Sequence, residues 1–187
     1  MMKNSESELK DYNDLNKARE IFINEIAKNI HLYDISHSVG RLYGTLFFSE
    51  DPMTLDEMSE ALGMSKTSMS TGIRSLLDAD MVERVWEKGI RKDLYRTEED
   101  WYRSFSNVFI TRWRNSTEQN MKAIQETKSM LELLNNRTEI AKVKELIQLD
   151  LTKLSQAEAY YKWLDDVISV FETGEIFKIV PKKDPSL

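Results

Sequence analysis

Residues 63–100 read GMSKTSMSTGIRSLLDADMVERVWEKGIRKDLYRTEED, and the hydrophobic period changes partway along them. Gly63 breaks one helix, and Ser65 stands where the next helix needs an N-cap oxygen. Met69, Ile73, Leu76 and Leu77 then recur at helical steps, giving residues 65–79 one apolar side. From Met81 the texture turns β-branched and aromatic. MVERVW, EKGIRK and DLYRT predict a hairpin whose turn contains Gly89.

The apolar side of 65–79 leaves Thr67, Thr71 and Arg74 pointing the opposite way, with Ser70 at the flank and Lys66 and Ser68 in the first turn. Small hydroxyl residues let a helix backbone approach a duplex, and their O–H groups, with the free amides of the helix start, suit phosphate oxygens. Arginine can donate to guanine O6 and N7 in the major groove. Taken alone, such a face is more simply an ordinary solvated helix surface. Its position favours DNA, because the ribbon that follows carries Lys88, Arg91 and Lys92 where a wing meets the sugar-phosphate backbone.

Upstream, Leu15, Ala18, Phe22, Ile26 and Ile30 predict a helix over 13–30, and Val39, Leu42, Tyr43, Leu46 and Phe47 a second one within DISHSVGRLYGTLFFSE. Thr54 and Glu57 form a capping-box pair that opens a short helix ending at Leu62. Downstream, Thr97 serves as an N-cap followed by Glu98, Glu99 and Asp100, and helix is expected almost without interruption to Phe171. Asn135-Asn136 marks a turn within it and Gly174 a stop. Apolar residues from Ile140 to Phe171 repeat by threes and fours, a helix about 50 Å long at 1.5 Å per residue. A helix of that length calls for a partner subunit. The last dozen residues, with Pro181 and Pro185, are expected to form a loosely held tail.

The resulting fold class is mostly α: a winged helix-turn-helix with a two-stranded β-wing and long N- and C-terminal dimerisation helices. Its expected divisions are an N-terminal helical segment over 1–32, a winged helix-turn-helix over 33–100, a helical dimerisation domain over 101–174 and a tail over 175–187. Only six glycines and three prolines among 187 residues agree with long helices. Cysteine is absent, which excludes a disulfide framework, a thiolate nucleophile and cysteine-ligated zinc. No signal peptide or long apolar run is visible, so a soluble, cytoplasmic protein is expected. The net charge of −6 argues against indiscriminate nucleic-acid binding. Between Met64 and Arg96, however, seven cations face five acids, so this segment carries +2 and the remainder −8.

LDEMSEALGMSKTSMSTGIRSLLDADMVERVWEKGIRKDLYRTEEDW, residues 55–101, resembles the DNA-binding core of MarR-type regulators, and specifically their GbsR branch, which controls glycine betaine synthesis and osmoprotectant uptake genes. The likeness extends to the N-terminal helices and, less specifically, to the helices after Trp101. It implies a homodimeric repressor bound to an operator near the genes it controls. Ser65 would cap the recognition helix, Lys66, Thr67, Ser68, Ser70, Thr71 and Arg74 would face DNA, and Lys88 and Arg91 would lie in the wing. The wing is shorter than the Asp-Arg wing usual in other MarR-type proteins.

Trp86, Tyr95, Trp101, Tyr102, Phe105, Phe109 and Trp113 are concentrated where the ribbon passes into the long helices. A packing seam explains them. So does an aromatic box, because a quaternary ammonium cannot donate a hydrogen bond and is held by ring faces. The resemblance to GbsR-type proteins implies choline or glycine betaine as the effector, with Trp86, Tyr95, Trp101, Tyr102 and Phe105 as candidate contacts.

His31, Asp34 and His37 sweep about 120° around a helix with no further carboxylate at a suitable step, so no metal is expected. With no glycine-rich phosphate loop or nucleophile elbow either, neither a cofactor nor an enzymatic activity is expected. The reading is a DNA-binding repressor. Its rival is a helical adaptor that uses a winged-helix shape to bind protein.

Overall fold

Three glycines decide how closely the first helices pack. The computed structural model describes residues 2–183, with side chains from Glu8 onward. Helix α1 spans Met2–Asn29 and passes through a 3-10 turn, Ile30–Tyr33, into α2, His37–Phe47. A Cβ on Gly40 would lie 2.7 Å from the Ala27 Cα, and one on Gly44 would lie 3.0 Å from the Ile23 side chain. The two helices therefore meet nearly backbone to backbone. Arg41 adds a polar tie, donating to Asn24 at 2.6 Å and Glu20 at 3.2 Å on α1.

The remaining elements gather on the other side of α2. Helix α3, Leu55–Leu62, opens with the expected capping box: Glu57 N donates to Thr54 Oγ1, and Thr54 N donates to Glu57 Oε2 at 2.7 Å. Helix α4, Lys66–Asp78, approaches α2 through Gly72, whose missing Cβ would sit 3.1 Å from Leu42. Leu42, Met58, Met69, Ile73 and Leu76 fill the core between these helices. Strands β1, Val82–Val85, and β2, Leu94–Thr97, pair antiparallel from Val82↔Thr97 to Val85↔Leu94. Met53 extends the ribbon through an isolated bridge to Tyr95, with N–H···O distances of 2.8 and 2.9 Å.

Residues 1–104 form one compact unit and 105–187 a second. Helix α5, Trp101–Arg137, begins in the first. Its opening turn is pinned to the corner between α4 and β1, where Asp80 adopts a left-handed φ of 51° and its carbonyl accepts the Ser104 hydroxyl at 2.5 Å.

In the second unit α5 pairs antiparallel with α6, Ala141–Glu172. Phe109 meets Phe171 at 4.5 Å, and Arg114 binds Asp165 and Glu172, the latter at 2.6 Å. Further along, Glu158 takes Lys128 at 2.5 Å and Lys162 at 2.6 Å. Ile124, Ile147, Leu164 and Ile168 are buried along the seam, and so is Thr117, 3% exposed, whose hydroxyl has no hydrogen-bond partner among the described residues. Gly174, at φ 72°, follows α6 and leads into a short helix α7, Ile176–Ile179. No helix among the described residues is long and apolar enough to cross a membrane.

Several boundaries differ from expectation. Helix α1 starts at Met2 instead of residue 13, and Leu15 and Ala18 are exposed, while Ile23 and Ala27 form its buried side with Ile30 just beyond. Thr97 ends β2; Asp100 receives the α5 amides, from Tyr102 at 3.1 Å and Arg103 at 3.3 Å. The break between the long helices lies at 138–140, after Asn135-Asn136, because Thr138 and Glu139 accommodate the turn and Ile140 takes the extended N-cap conformation. The expected tail begins with α7, and its residues 184–187 lie outside the described residues.

Two consequences are measurable. Ala in place of Gly40 adds helix propensity of about 1 kcal/mol, yet its methyl meets backbone that cannot retreat, and overpacking of this kind costs about 1–3 kcal/mol. Gly40→Ala is therefore expected to lower the thermal midpoint. Lys128 and Lys162 hold the Glu158 carboxyl down at about 2, against an ordinary value of 4.5. A depressed folded-state value means stabilisation that is complete above the unfolded value and disappears as pH falls toward 2. Glu158→Gln should melt earlier than wild type at neutral pH, and thermal scans should show the difference closing between about pH 5 and pH 2.

Candidate nucleic-acid interface

The turn that presents α4 is built from short side chains. Gly63 takes the left-handed conformation at φ 62°, and the Ser59 hydroxyl donates to the Met64 carbonyl at 2.5 Å. Ser65 is extended, and its Oγ accepts from Ser68 N at 3.1 Å and lies 2.8 Å from Ser68 Oγ. Ser65 therefore serves as the expected cap, and its hydroxyl is engaged within the helix start.

Past that cap the two sides of α4 separate cleanly. Met69, Gly72, Ile73 and Leu76 are buried, and Lys66, Thr67, Ser68, Thr71 and Arg74 are exposed, with Ser70 half-buried at the flank. The exposed side adjoins the N-terminus of α2. Ser36, Ser38 and Val39 line a groove of about 360 Å³ with Met64, Thr67, Ser68 and Thr71. Ser36 and Ser38 were not singled out from the sequence. Beginning that helix at Asp34 concealed Ser36, which is its N-cap in the structure, beside Asp34 at a left-handed φ of 59°. The signal was present, a serine three residues ahead of the apolar Val39-Leu42-Tyr43 pattern.

The ribbon tip spans residues 86–93 and turns at Gly89, φ 95°. Lys88, Arg91 and Lys92 are all exposed there. The cations differ in what holds them. Lys92 and Lys66 both bind Asp56 of α3, at 2.8 and 2.5 Å, and the two ammonium groups keep that carboxyl below its ordinary range. Arg84 lies 3.5 Å from Asp93, and Arg96 binds Glu83 at 2.5 Å. Among the described residues, Arg74, Lys88 and Arg91 make no ion pair. The free cations thus stand on the outer side of α4 and at the ribbon tip.

The aromatic residues are dispersed. Trp86 is 80% exposed on the ribbon turn, whereas Tyr95 is 4% exposed in β2 with the Arg84 guanidinium 5.7 Å from its ring. Trp101 packs with Phe47 at 5.7 Å, Tyr43 at 6.3 Å and Phe22 at 6.4 Å, an aromatic group built by α1, α2 and the start of α5. Burial pushes the Tyr43 phenol well above its usual range. Tyr102 is exposed, and Phe105 joins Phe109 and Phe171 in the second unit, both at 6.1 Å. Phe22, Tyr43 and Phe47, absent from the sequence-based set, are the rings that Trp101 touches.

A capped helix with a polar outer side, placed by a helix-turn and flanked by a basic ribbon, defines a winged helix-turn-helix regulator. Comparison with known proteins agrees. Residues 101–178 match the family described as "GbsR family transcriptional regulator, C-terminal helical hairpin". The chain is 39% identical over 169 residues to the HTH-type transcriptional repressor GbsR of Bacillus subtilis (strain 168), covering 89% of this chain and 93% of that one. It is 38% identical over 166 residues to the HTH-type transcriptional repressor OpcR of the same organism, covering 88% and 90%. Among solved structures, a chain described as a transcriptional regulator aligns with a TM-score of 0.46 at 17% identity, over 83% of this chain and 99% of that one. The protein belongs to the GbsR family, the helix-turn-helix transcriptional repressors of the GbsR and OpcR type, and is not an enzyme.

Because Ser65 supplies an oxygen to the amide of Ser68, Ser65→Ala is expected to lower stability by about 1 kcal/mol. Chemical denaturation at neutral pH should show this loss, and Ser65→Asp, which keeps the acceptor, should recover most of it.

Proposed function

We propose that this protein is a homodimeric repressor that reads operator DNA with α4 and the ribbon, and that it controls osmoprotectant uptake or synthesis genes in response to choline or glycine betaine. One observation carries the DNA reading: Arg74 is exposed and, among the described residues, without an ion pair on the side of α4 that bears Thr67, Ser68 and Thr71, and Lys88 and Arg91 are likewise at the tip of the ribbon, which Asp56 ties to the start of α4 through Lys92 and Lys66. In this reading Arg74 contacts base edges in the major groove. Lys66, Thr67, Ser68, Ser70 and Thr71 contact phosphates or base edges, and Ser65 orders the helix start. Lys88, Arg91 and Lys92 follow the backbone beside it.

Residues 33–100 form the DNA-binding part, and 1–32 and 101–174 hold the two subunits together. Exposed apolar side chains support the second assignment: Leu9, Tyr12 and Leu15 on α1, and Leu146, Leu149, Tyr160 and Trp163 on one helical stripe of α6. Two such subunits would place their α4 helices about 34 Å apart, one duplex turn.

The osmoprotectant assignment rests on the resemblance to GbsR-type regulators. Of the expected effector contacts Trp86, Tyr95, Trp101, Tyr102 and Phe105, Trp101 has the most concentrated support, from the rings of Phe22, Tyr43 and Phe47 around it. Binding there would change operator affinity to the extent that the effector prefers one dimer shape over another.

Affinity for the DNA upstream of its own gene should fall steeply with salt, and Arg74→Ala should weaken specific binding by about 1–3 kcal/mol while leaving non-specific binding nearly unchanged. Fluorescence anisotropy across a salt series measures both. A flat salt response would favour the adaptor. Tryptophan fluorescence titrated with choline and with glycine betaine tests the effector, and the absence of a saturable change with either would remove it.

A further inference from the structure

Two of the cations assigned to the DNA face share one carboxylate. Asp56 Oδ1 binds the Lys66 ammonium at 2.5 Å in the first turn of α4, and Asp56 Oδ2 binds Lys92 at 2.8 Å in the ribbon. All three side chains are substantially exposed. Helix α3 does not need Asp56 as a cap, because Glu57 and Thr54 already complete the capping box. Exposed ion pairs contribute little to folding stability. An acidic residue placed between two cations of a phosphate-reading surface therefore calls for another explanation.

We infer that Asp56 is a positioning residue that stands in for a DNA phosphate, bridging Lys66 and Lys92 through its two oxygens and lowering affinity for DNA of any sequence. The inference rests on the DNA reading proposed above. A phosphate also offers two charged oxygens, so on DNA it takes the two ammonium groups in place of the carboxylate. That exchange leaves Asp56 unpaired beside a polyanion. Sequence-independent binding is held down as a result, and the contacts of α4 to bases must supply the difference. The same bridge ties the reading helix to the ribbon in the absence of DNA, so the two elements meet the duplex as one surface.

The test compares wild type, Asp56→Asn and Asp56→Glu on a labelled duplex of unrelated sequence and on the protein's own upstream region, across a salt series. Asp56→Asn is expected to bind the unrelated duplex about tenfold more tightly at low salt, with a salt slope steeper by about one. Asp56→Glu, which keeps the charge and the bridge, should stay close to wild type. In a Lys66→Met/Lys92→Met background, Asp56→Asn should change neither affinity nor slope. Unchanged or weaker binding by Asp56→Asn, in a wild type that does bind DNA, would overturn the inference alone. So would a gain that persists without the two lysines, since that would reflect removal of a charge from the surface and not release of a bridge. A wild type with no salt-dependent DNA binding would overturn the DNA reading and this inference together.

Discussion

The close approach allowed at Gly40, Gly44 and Gly72 is the constraint from which the packing of the first four helices follows. A helix surrounded by β-carbons keeps its neighbours about 8–10 Å from its axis. By omitting them at Gly40 and Gly44, α2 draws α1 onto one side, and by omitting one at Gly72, α4 comes close to Leu42 and Val39 on the other. Leu42, Met58, Met69, Ile73 and Leu76 then close the space that remains. Once the apolar side of α4 is committed inward at that depth, its hydroxyls and Arg74 have only solvent to face. The polar surface is thus a product of packing behind it.

Charge on this surface is organised by pairing more than by number. The chain is acidic overall, and even its basic segment carries five acids. Glu83 and Asp93 engage Arg96 and Arg84 along the ribbon, and Asp56 engages Lys66 and Lys92. The cations left over, Arg74, Lys88 and Arg91, lie on the outer side of α4 and at the ribbon tip. A sum over residues does not distinguish an engaged lysine from a free arginine, whereas a polyanion does.

Local chemistry was the part most legible in the sequence. The Thr54 and Glu57 box, the Ser65 cap, the hairpin around Gly89 and the division of α4 into two sides all depend on residues within a few positions of one another, and all are present. What depended on distant partners was harder to see. Thr97 has the right side chain for a helix cap, but pairing with Val82 keeps it in a strand and passes the capping role to Asp100. Seven aromatics close in sequence look like one cluster, yet a ribbon turn, a buried strand and a helix carry them to separate places. The Asp56 bridge links residues 10 and 36 positions apart, which no periodicity reports.

The corner at Asp80 joins three elements with no slack between them. Helix α4 ends two residues before it, β1 begins two residues after it, and the Ser104 hydroxyl grips its carbonyl from the first turn of α5. A tilt of that turn therefore acts directly on the corner between α4 and β1, through the Ser104 hydroxyl and through the Arg103 guanidinium, which lies 3.8 Å from the Asp80 carboxylate. The joint is a knuckle: helix, strand and helix are fastened to one another within a span of a few residues.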